Sequence, residues 1–114
     1  MRNFFRSFGY AFEGIRLATK ERNMRFHLVC ASIAILAGFF SKLSAVEWLI
    51  LIITIALVIG LEMVNTAIEN VVDLVSPEFH PLAKAAKDVA AGAVLVFAIA
   101  SILIGMILFL PKWF

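Results

Sequence analysis

The residues best suited to chemistry are three carboxylates and an amide that directly follow a long apolar segment in the sequence. Glu62, Asn65, Glu69 and Asp73 fall within an arc of about 80° on one helical face, at about 100° per residue. We call these four residues the acidic stripe. An ionised carboxylate facing lipid near the bilayer centre costs at least ~2.5 kcal/mol. The acidic stripe is therefore expected to face protein, a metal ion or a substrate.

The acidic stripe suits a hard cation and a proton acceptor. Mg²⁺ prefers a few carboxylates together with phosphate oxygens and water, and Glu62 and Glu69, with Glu21 from an earlier segment, offer such carboxylates. Glu62, partly buried among apolar residues, is also a candidate general base. The alternative is a structural polar network between helices, although three acids on one face exceed what packing requires.

Basic residues follow the acidic stripe. Lys84 and Lys87 share a helical face at i, i+3 spacing, with Asp88 beside them. Lys87 would either contact phosphate oxygens or act with Lys84 as a charged anchor at the membrane surface. His80 lies in a loop bounded by two prolines, Pro77 and Pro81, and is open to a structural or a functional role.

Composition predicts that membrane-spanning helices hold these residues. Of the 114 residues, 63% are hydrophobic and 16% are charged, which is more apolar surface than a soluble domain this small can bury. We predict an all-α membrane protein with a single domain over residues 1–114. Its spans are expected over about residues 25–43, 47–73 and 86–110. The one cysteine, Cys30, is expected to be a small core residue.

The N-terminal segment, over about residues 3–22, predicts an amphipathic helix that lies along the membrane surface. Its apolar face, within about 100°, consists of Phe4, Phe5, Phe8, Phe12 and Ile15. Lysines and arginines concentrate in this segment and in the loop before the last span. The positive-inside rule then predicts a cytoplasmic N-terminus, an external C-terminus and chemistry at the inner leaflet.

Two classes of function remain open from the residues alone. A membrane enzyme acting on phosphate would combine the acidic stripe with Lys87. A small ion- or proton-relay subunit would use the carboxylates as a relay. A relay needs no lysine beside it, so the enzyme is favoured.

The pattern Glu62-x-x-Asn65-Thr66-Ala67-Ile68-Glu69-x-x-x-Asp73, followed by Glu78-Phe79-His80 and Ala86-Lys87-Asp88, resembles the signature of the prokaryotic diacylglycerol kinase and undecaprenol kinase family. The resemblance covers nearly the whole chain, including Gly9-Tyr10 and Glu21. It implies three transmembrane helices and a surface helix, assembled as a homotrimer in the bacterial inner membrane with sites between subunits. It also implies Mg²⁺-dependent transfer of the ATP γ-phosphoryl group to a lipid hydroxyl, with no nucleic acid partner.

The resemblance further implies roles for individual residues. Glu62 is expected to be the catalytic base, with Asn65 orienting it, and Glu21 and Glu69 are expected to hold Mg²⁺ on the ATP phosphates. The nucleotide contacts would come from Tyr10, Glu78, His80, Lys87 and Asp88. Phe79 stands where many members have tyrosine, so that hydroxyl is missing here.

The lipid acceptor is judged from flanking residues. The segment Glu21-Arg22-Asn23-Met24-Arg25, the Ser76-Pro77 and His80-Pro81 turns, and the run from Ala86 to Ala93 look more like the undecaprenol kinase branch. We therefore expect undecaprenol as the acceptor, with diacylglycerol as the close alternative.

Overall fold

Four helices make up the fold over residues 3–114, which the computed structural model describes. They are α1 (Phe4–Ala18), α2 (Arg22–Phe40), α3 (Ala45–Val75) and α4 (Pro81–Trp113). The last three are long and apolar enough to cross a membrane. The predicted fold class, an all-α membrane protein with three spans after an N-terminal helix, is confirmed.

Helix α1 is amphipathic, and its aromatic face is open. Phe4, Phe5, Phe8 and Phe12 are all more than half exposed, which suits a helix lying in the headgroup region of a bilayer. The helix ends at Ala18, earlier than predicted, because Lys20 and Glu21 donate their amides to Leu17 and Ala18 in a tight turn. Helix α2 follows at once, so its first turn carries Arg22 and Arg25.

The turn between α2 and α3 is closely packed. Lys42 adopts a left-handed backbone conformation with φ of 53°, which reverses the chain in four residues, 41–44. Ser44 and Glu47 form a capping box that satisfies the first amides of α3. The indole of Trp48 packs so closely on Gly38 that a Cβ there would lie 2.7 Å from the indole Cη2.

The end of α4 is tied to this same turn. Trp113 Nε1 donates a hydrogen bond of 2.8 Å to Ser41 Oγ, and Lys112 Nζ forms an ion pair of 2.9 Å with Glu47. Beneath these contacts lies a small apolar core of Leu43, Leu51 and Leu108. We call this region the turn end of the bundle. The opposite end carries the acidic stripe, because α3 runs away from the turn without interruption.

The spans bury little of their surface within one chain. In the most apolar 18-residue stretch of each helix, only 11% of the residues of α2, 22% of those of α3 and 11% of those of α4 are buried. The remaining apolar surface suits contact with lipid or with other copies of the chain.

Candidate active site

Helix α3 carries the whole acidic stripe, which passes from a buried to an exposed environment. Glu62 is 3% exposed and Asn65 is 5% exposed. Glu69 is half-buried, and Asp73 is exposed. The inner half of the acidic stripe therefore faces protein, as the cost of placing a carboxylate in lipid requires.

The carboxylate of Glu62 meets a histidine from α2. His27 Nε2 lies 3.5 Å from Glu62 Oε2, and the two side chains are 14% and 4% exposed. The sequence pattern did not predict His27 as a site residue. Its signal was an ionisable residue inside an apolar span, which by itself marks a candidate functional position.

Asn65 connects the inner and outer halves of the acidic stripe. Its Nδ2 donates a hydrogen bond of 3.1 Å to Glu69 Oε1. Its Oδ1 is buried and has no hydrogen-bond partner within residues 3–114. An unpaired buried oxygen is costly, so this atom is an available acceptor or ligand beside the Glu69 carboxylate.

Glu21 lies at about the same level of the bundle as Glu69. His27 and Glu62 mark a common level on α2 and α3, which run antiparallel. Glu21 precedes His27 by six residues, about 9 Å along a helix, and Glu69 follows Glu62 by seven, about 10 Å. Glu21 itself is exposed at the N-cap of α2. These acids do not form a metal cluster in one chain, since residues 3–114 contain no group of three His, Cys, Asp or Glu side chains placed to hold a metal ion.

The donors that are present nonetheless fit Mg²⁺. This ion usually takes only one or two protein carboxylates and completes its coordination with phosphate oxygens and water. The Glu69 carboxylate and the unpaired Asn65 Oδ1 are hard oxygen donors of this kind.

A pocket of about 370 Å³ lies between the outer end of the acidic stripe and the start of α4. It brings together Glu78, His80 and Lys87, three of the residues predicted to contact nucleotide, and adds Asp73 and Phe79. Tyr10, on α1, and Asp88 do not line it. We call this space the polar pocket.

The side chains around the polar pocket are already engaged with one another. Lys87 forms an ion pair with Asp73 across α3 and α4, with side chains 39% and 62% exposed. Asp88 pairs with Lys84 one turn away on α4. His80 Nδ1 accepts a hydrogen bond of 3.1 Å from the amide of Leu82, so His80 is the N-cap of α4. A structural role for His80 is therefore present, and its Nε2 is not used in that bond.

An apolar groove of about 280 Å³ runs between α2, α3 and α4 on the other side of Glu62. His27 and Phe26 lie in its wall near the acidic stripe, and Leu51 and Phe109 lie in its wall towards the turn end. Three small polar side chains, Cys30, Thr54 and Ser101, interrupt the apolar lining. The expectation that Cys30 is a core residue is wrong, because Cys30 is exposed on the groove side of a helix that buries little of its surface.

Residues 9–109 match the family described as prokaryotic diacylglycerol kinase. The chain belongs to this family. It is 50% identical over 113 residues to the undecaprenol kinase of Bacillus subtilis, a match that covers 98% of this chain and 92% of that protein. It is 45% identical over 111 residues to the diacylglycerol kinase of Synechocystis, covering 96% of this chain and 63% of that protein.

A third relative in the prokaryotic diacylglycerol kinase family is more distant. The chain is 34% identical over 101 residues to the diacylglycerol kinase of Escherichia coli, covering 88% of this chain and 83% of that protein. The family membership predicted from the residue pattern is confirmed, and with it the class of activity, a membrane lipid kinase. Kinases of this family take the phosphoryl group from ATP.

Proposed function

We propose that this lipid kinase transfers the γ-phosphoryl group of ATP to the hydroxyl of undecaprenol. The observation that carries the proposal is the position of Glu62, a buried carboxylate that lies along α3 between the residues lining the apolar groove and those lining the polar pocket. The apolar groove suits the part of a lipid chain next to the hydroxyl, and the polar pocket suits the phosphates of a nucleotide. The relative that matches this chain at 50% identity over nearly its whole length is named as an undecaprenol kinase.

Glu62 is proposed as the general base. Its carboxylate accepts the proton of the lipid hydroxyl while that oxygen bonds to the γ-phosphorus. The bond from the γ-phosphorus to the bridging oxygen breaks, and ADP leaves. Asn65, one turn further along α3, orients the carboxylates on either side of it, as its hydrogen bond to Glu69 supports. Positioning of this kind supplies most of the rate in phosphoryl transfer.

Glu69 and Glu21 are proposed to hold Mg²⁺. The ion, when bound, neutralises charge on the β- and γ-phosphates. The similar level of the two acids along antiparallel helices supports the pair, and Asn65 Oδ1 is a third hard donor beside Glu69.

Lys87, Glu78 and His80 are proposed to contact the nucleotide, since they line one pocket. Lys87 would exchange its bond to Asp73 for phosphate oxygens. This exchange costs little, because water screens an exposed ion pair and leaves it weak. His80 keeps its cap of α4 through Nδ1 and offers Nε2 to the nucleotide.

A homotrimer with sites between subunits is also proposed. In one chain Tyr10 and Asp88 do not line the polar pocket, and the spans bury little of their surface. A neighbouring copy that covers these spans could bring its own α1 and α4 to the site. We further propose the bacterial inner membrane as the location, with the N-terminus and the site on the cytoplasmic side, from the distribution of Lys and Arg.

Diacylglycerol is the second candidate acceptor. Two relatives at 45% and 34% identity are named as diacylglycerol kinases. Both lipids present one hydroxyl at the membrane surface, and an apolar groove distinguishes hydrocarbon chains only weakly.

The test is transfer of radiolabelled γ-phosphate from Mg²⁺-ATP to each lipid, using purified protein in mixed micelles. Labelling that is faster on undecaprenol and absent in Glu62→Gln is the expected result. Preference for diacylglycerol would replace the proposed acceptor. A folded protein that labels neither lipid would contradict the proposal, and ion flux in vesicles without ATP consumption would identify a relay subunit instead.

A further inference from the structure

His27 lies at the junction of the apolar groove and the Glu62 carboxylate. It belongs to the wall of the groove, and its Nε2 is 3.5 Å from Glu62 Oε2. We propose that His27 is a positioning residue that donates its Nε2–H to Glu62 and so holds the carboxylate of the base oriented for the lipid hydroxyl. The inference rests on the proposed function.

Burial gives the contact its importance. A carboxylate that is 96% buried needs a hydrogen-bond donor or an opposite charge to replace the water contacts that it has lost. Among residues 3–114, His27 is the residue that forms an ion-pair contact with the Glu62 side chain. Without this donor, the Glu62 carboxylate would lose the contact that orients it towards the lipid hydroxyl.

The 3.5 Å separation is slightly longer than an ordinary N–H···O hydrogen bond. Catalytic hydrogen bonds are often long before substrate binds and shorten in the reacting complex. A small rotation of either side chain closes the gap. One carboxylate oxygen then faces His27, and the other is left for the substrate.

The groove explains why this position also orients the acceptor. A lipid chain in the groove runs past Ser101 and Thr54 towards His27, so its hydroxyl arrives beside the imidazole and the carboxylate together. His27 thus fixes which carboxylate oxygen the hydroxyl meets. Its neighbour Phe26 packs edge-on against the ring, with centroids 5.9 Å apart, which limits how the imidazole can turn.

The experiment compares His27→Leu with His27→Gln in the lipid-labelling assay. Leu fills the space but has no donor, whereas the Gln amide places an N–H near the position of Nε2. We expect His27→Leu to lower kcat about 10- to 100-fold, the loss expected for one hydrogen bond to a charged group, with KM for Mg²⁺-ATP unchanged. His27→Gln should recover kcat to within about threefold of the wild type.

A double variant separates positioning from packing. In the Glu62→Gln background, His27→Leu should add little further loss, because the group that it positions is already gone. Ser32→Ala is the matched control, since Ser32 is an exposed polar residue of α2 outside the groove. The elution volume on size-exclusion chromatography should match the wild type for all variants.

Three results would overturn the inference while leaving the lipid kinase intact. One is an unchanged kcat in His27→Leu. Another is equal loss in the Leu and Gln variants, which would show that the N–H donor is not what matters. The third is a rise in KM for the lipid with kcat unchanged, which would show that His27 contacts the lipid chain as part of the groove wall and does not position Glu62. An inactive wild-type protein would instead contradict the proposed function itself.

Discussion

Lys87 on α4 forms an ion pair with Asp73, the last residue of the acidic stripe on α3. The cation that is proposed to bind phosphate is therefore neutralised by the protein before nucleotide arrives. An exposed pair of this kind is weak in water, so it holds Lys87 in place at little cost to binding. The pair also joins α3 and α4 beside the polar pocket.

Replacing Lys87 by Gln should raise KM for Mg²⁺-ATP about tenfold or more, because a charge-assisted hydrogen bond to phosphate is lost. The stability of the fold should change little, since the pair with Asp73 is exposed. Steady-state kinetics with varied ATP measure the first effect. Lys42→Gln is the control, because Lys42 is an exposed lysine at the turn end. Equal KM values in both variants would remove Lys87 from the nucleotide site.

Glu62→Gln should lower kcat by about 10²- to 10⁴-fold, the usual contribution of a general base. The KM for Mg²⁺-ATP should change little, because Glu62 is not proposed to bind nucleotide. Labelling of lipid under saturating ATP checks this, with Glu13→Gln on the exposed face of α1 as a carboxylate control. Near-normal turnover of Glu62→Gln in a folded protein would show that another group takes the proton.

Glu69→Gln should shift the Mg²⁺ dependence of the rate to higher concentration. A carboxylate that holds the ion is lost, while the amide still pairs with Asn65. Asn65→Ala should shift the dependence in the same direction, because it removes both the hydrogen bond that orients Glu69 and the donor oxygen Oδ1, and losses of such partners typically lower metal affinity 10- to 100-fold. The rate is measured against free Mg²⁺ at fixed ATP. An unchanged dependence in Glu69→Gln would exclude it as a ligand.

Gly38→Ala should destabilise the protein without lowering the turnover of the folded fraction. Its Cβ would lie 2.7 Å from Trp48 Cη2, and forcing one methyl group into a packed site costs about 1–3 kcal/mol. Gly60→Ala is the matched control, since a Cβ there meets nothing within 4 Å in the chain and a helical Gly→Ala change favours the helix by up to ~1 kcal/mol. Thermal denaturation in detergent should rank Gly38→Ala below the wild type. A Tm equal to that of the wild type would mean that Trp48 moves aside freely.

Much of this architecture was predictable because it depends on local sequence. The three long apolar segments gave the spans, and the spacing of Glu62, Asn65 and Glu69 placed them on one face of α3. The predicted ends of the helices were less accurate. The spans were predicted over residues 25–43, 47–73 and 86–110, whereas the helices run over Arg22–Phe40, Ala45–Val75 and Pro81–Trp113, because a helix can continue beyond the apolar residues that mark a span.

Contacts between helices were not predictable from the pattern. The pairing of His27 with Glu62 depends on the register of α2 against α3, which no local period encodes. The same is true of Asp73 and Lys87 across α3 and α4. The prediction for Cys30 is wrong because a small apolar residue is usually buried in a soluble protein, whereas in a thin helical bundle it can face outwards. Tyr10 and Asp88 do not line the polar pocket of one chain, and their proposed contacts with nucleotide depend on the proposed trimer.

The two ends of the bundle are held with different strength. At the turn end, Trp113 and Lys112 attach α4 to the α2–α3 turn, whereas at the other end α3 and α4 meet through exposed charges. Helices α3 and α4 are therefore fixed to each other at the turn end, and at the opposite end they can separate by a small distance while the turn end stays closed. Hydrogen exchange should accordingly be faster around residues 76–84 than around residues 41–48, because local opening needs least free energy where few buried contacts must break. Nucleotide would then enter and leave the polar pocket without disturbing the packing at the turn end.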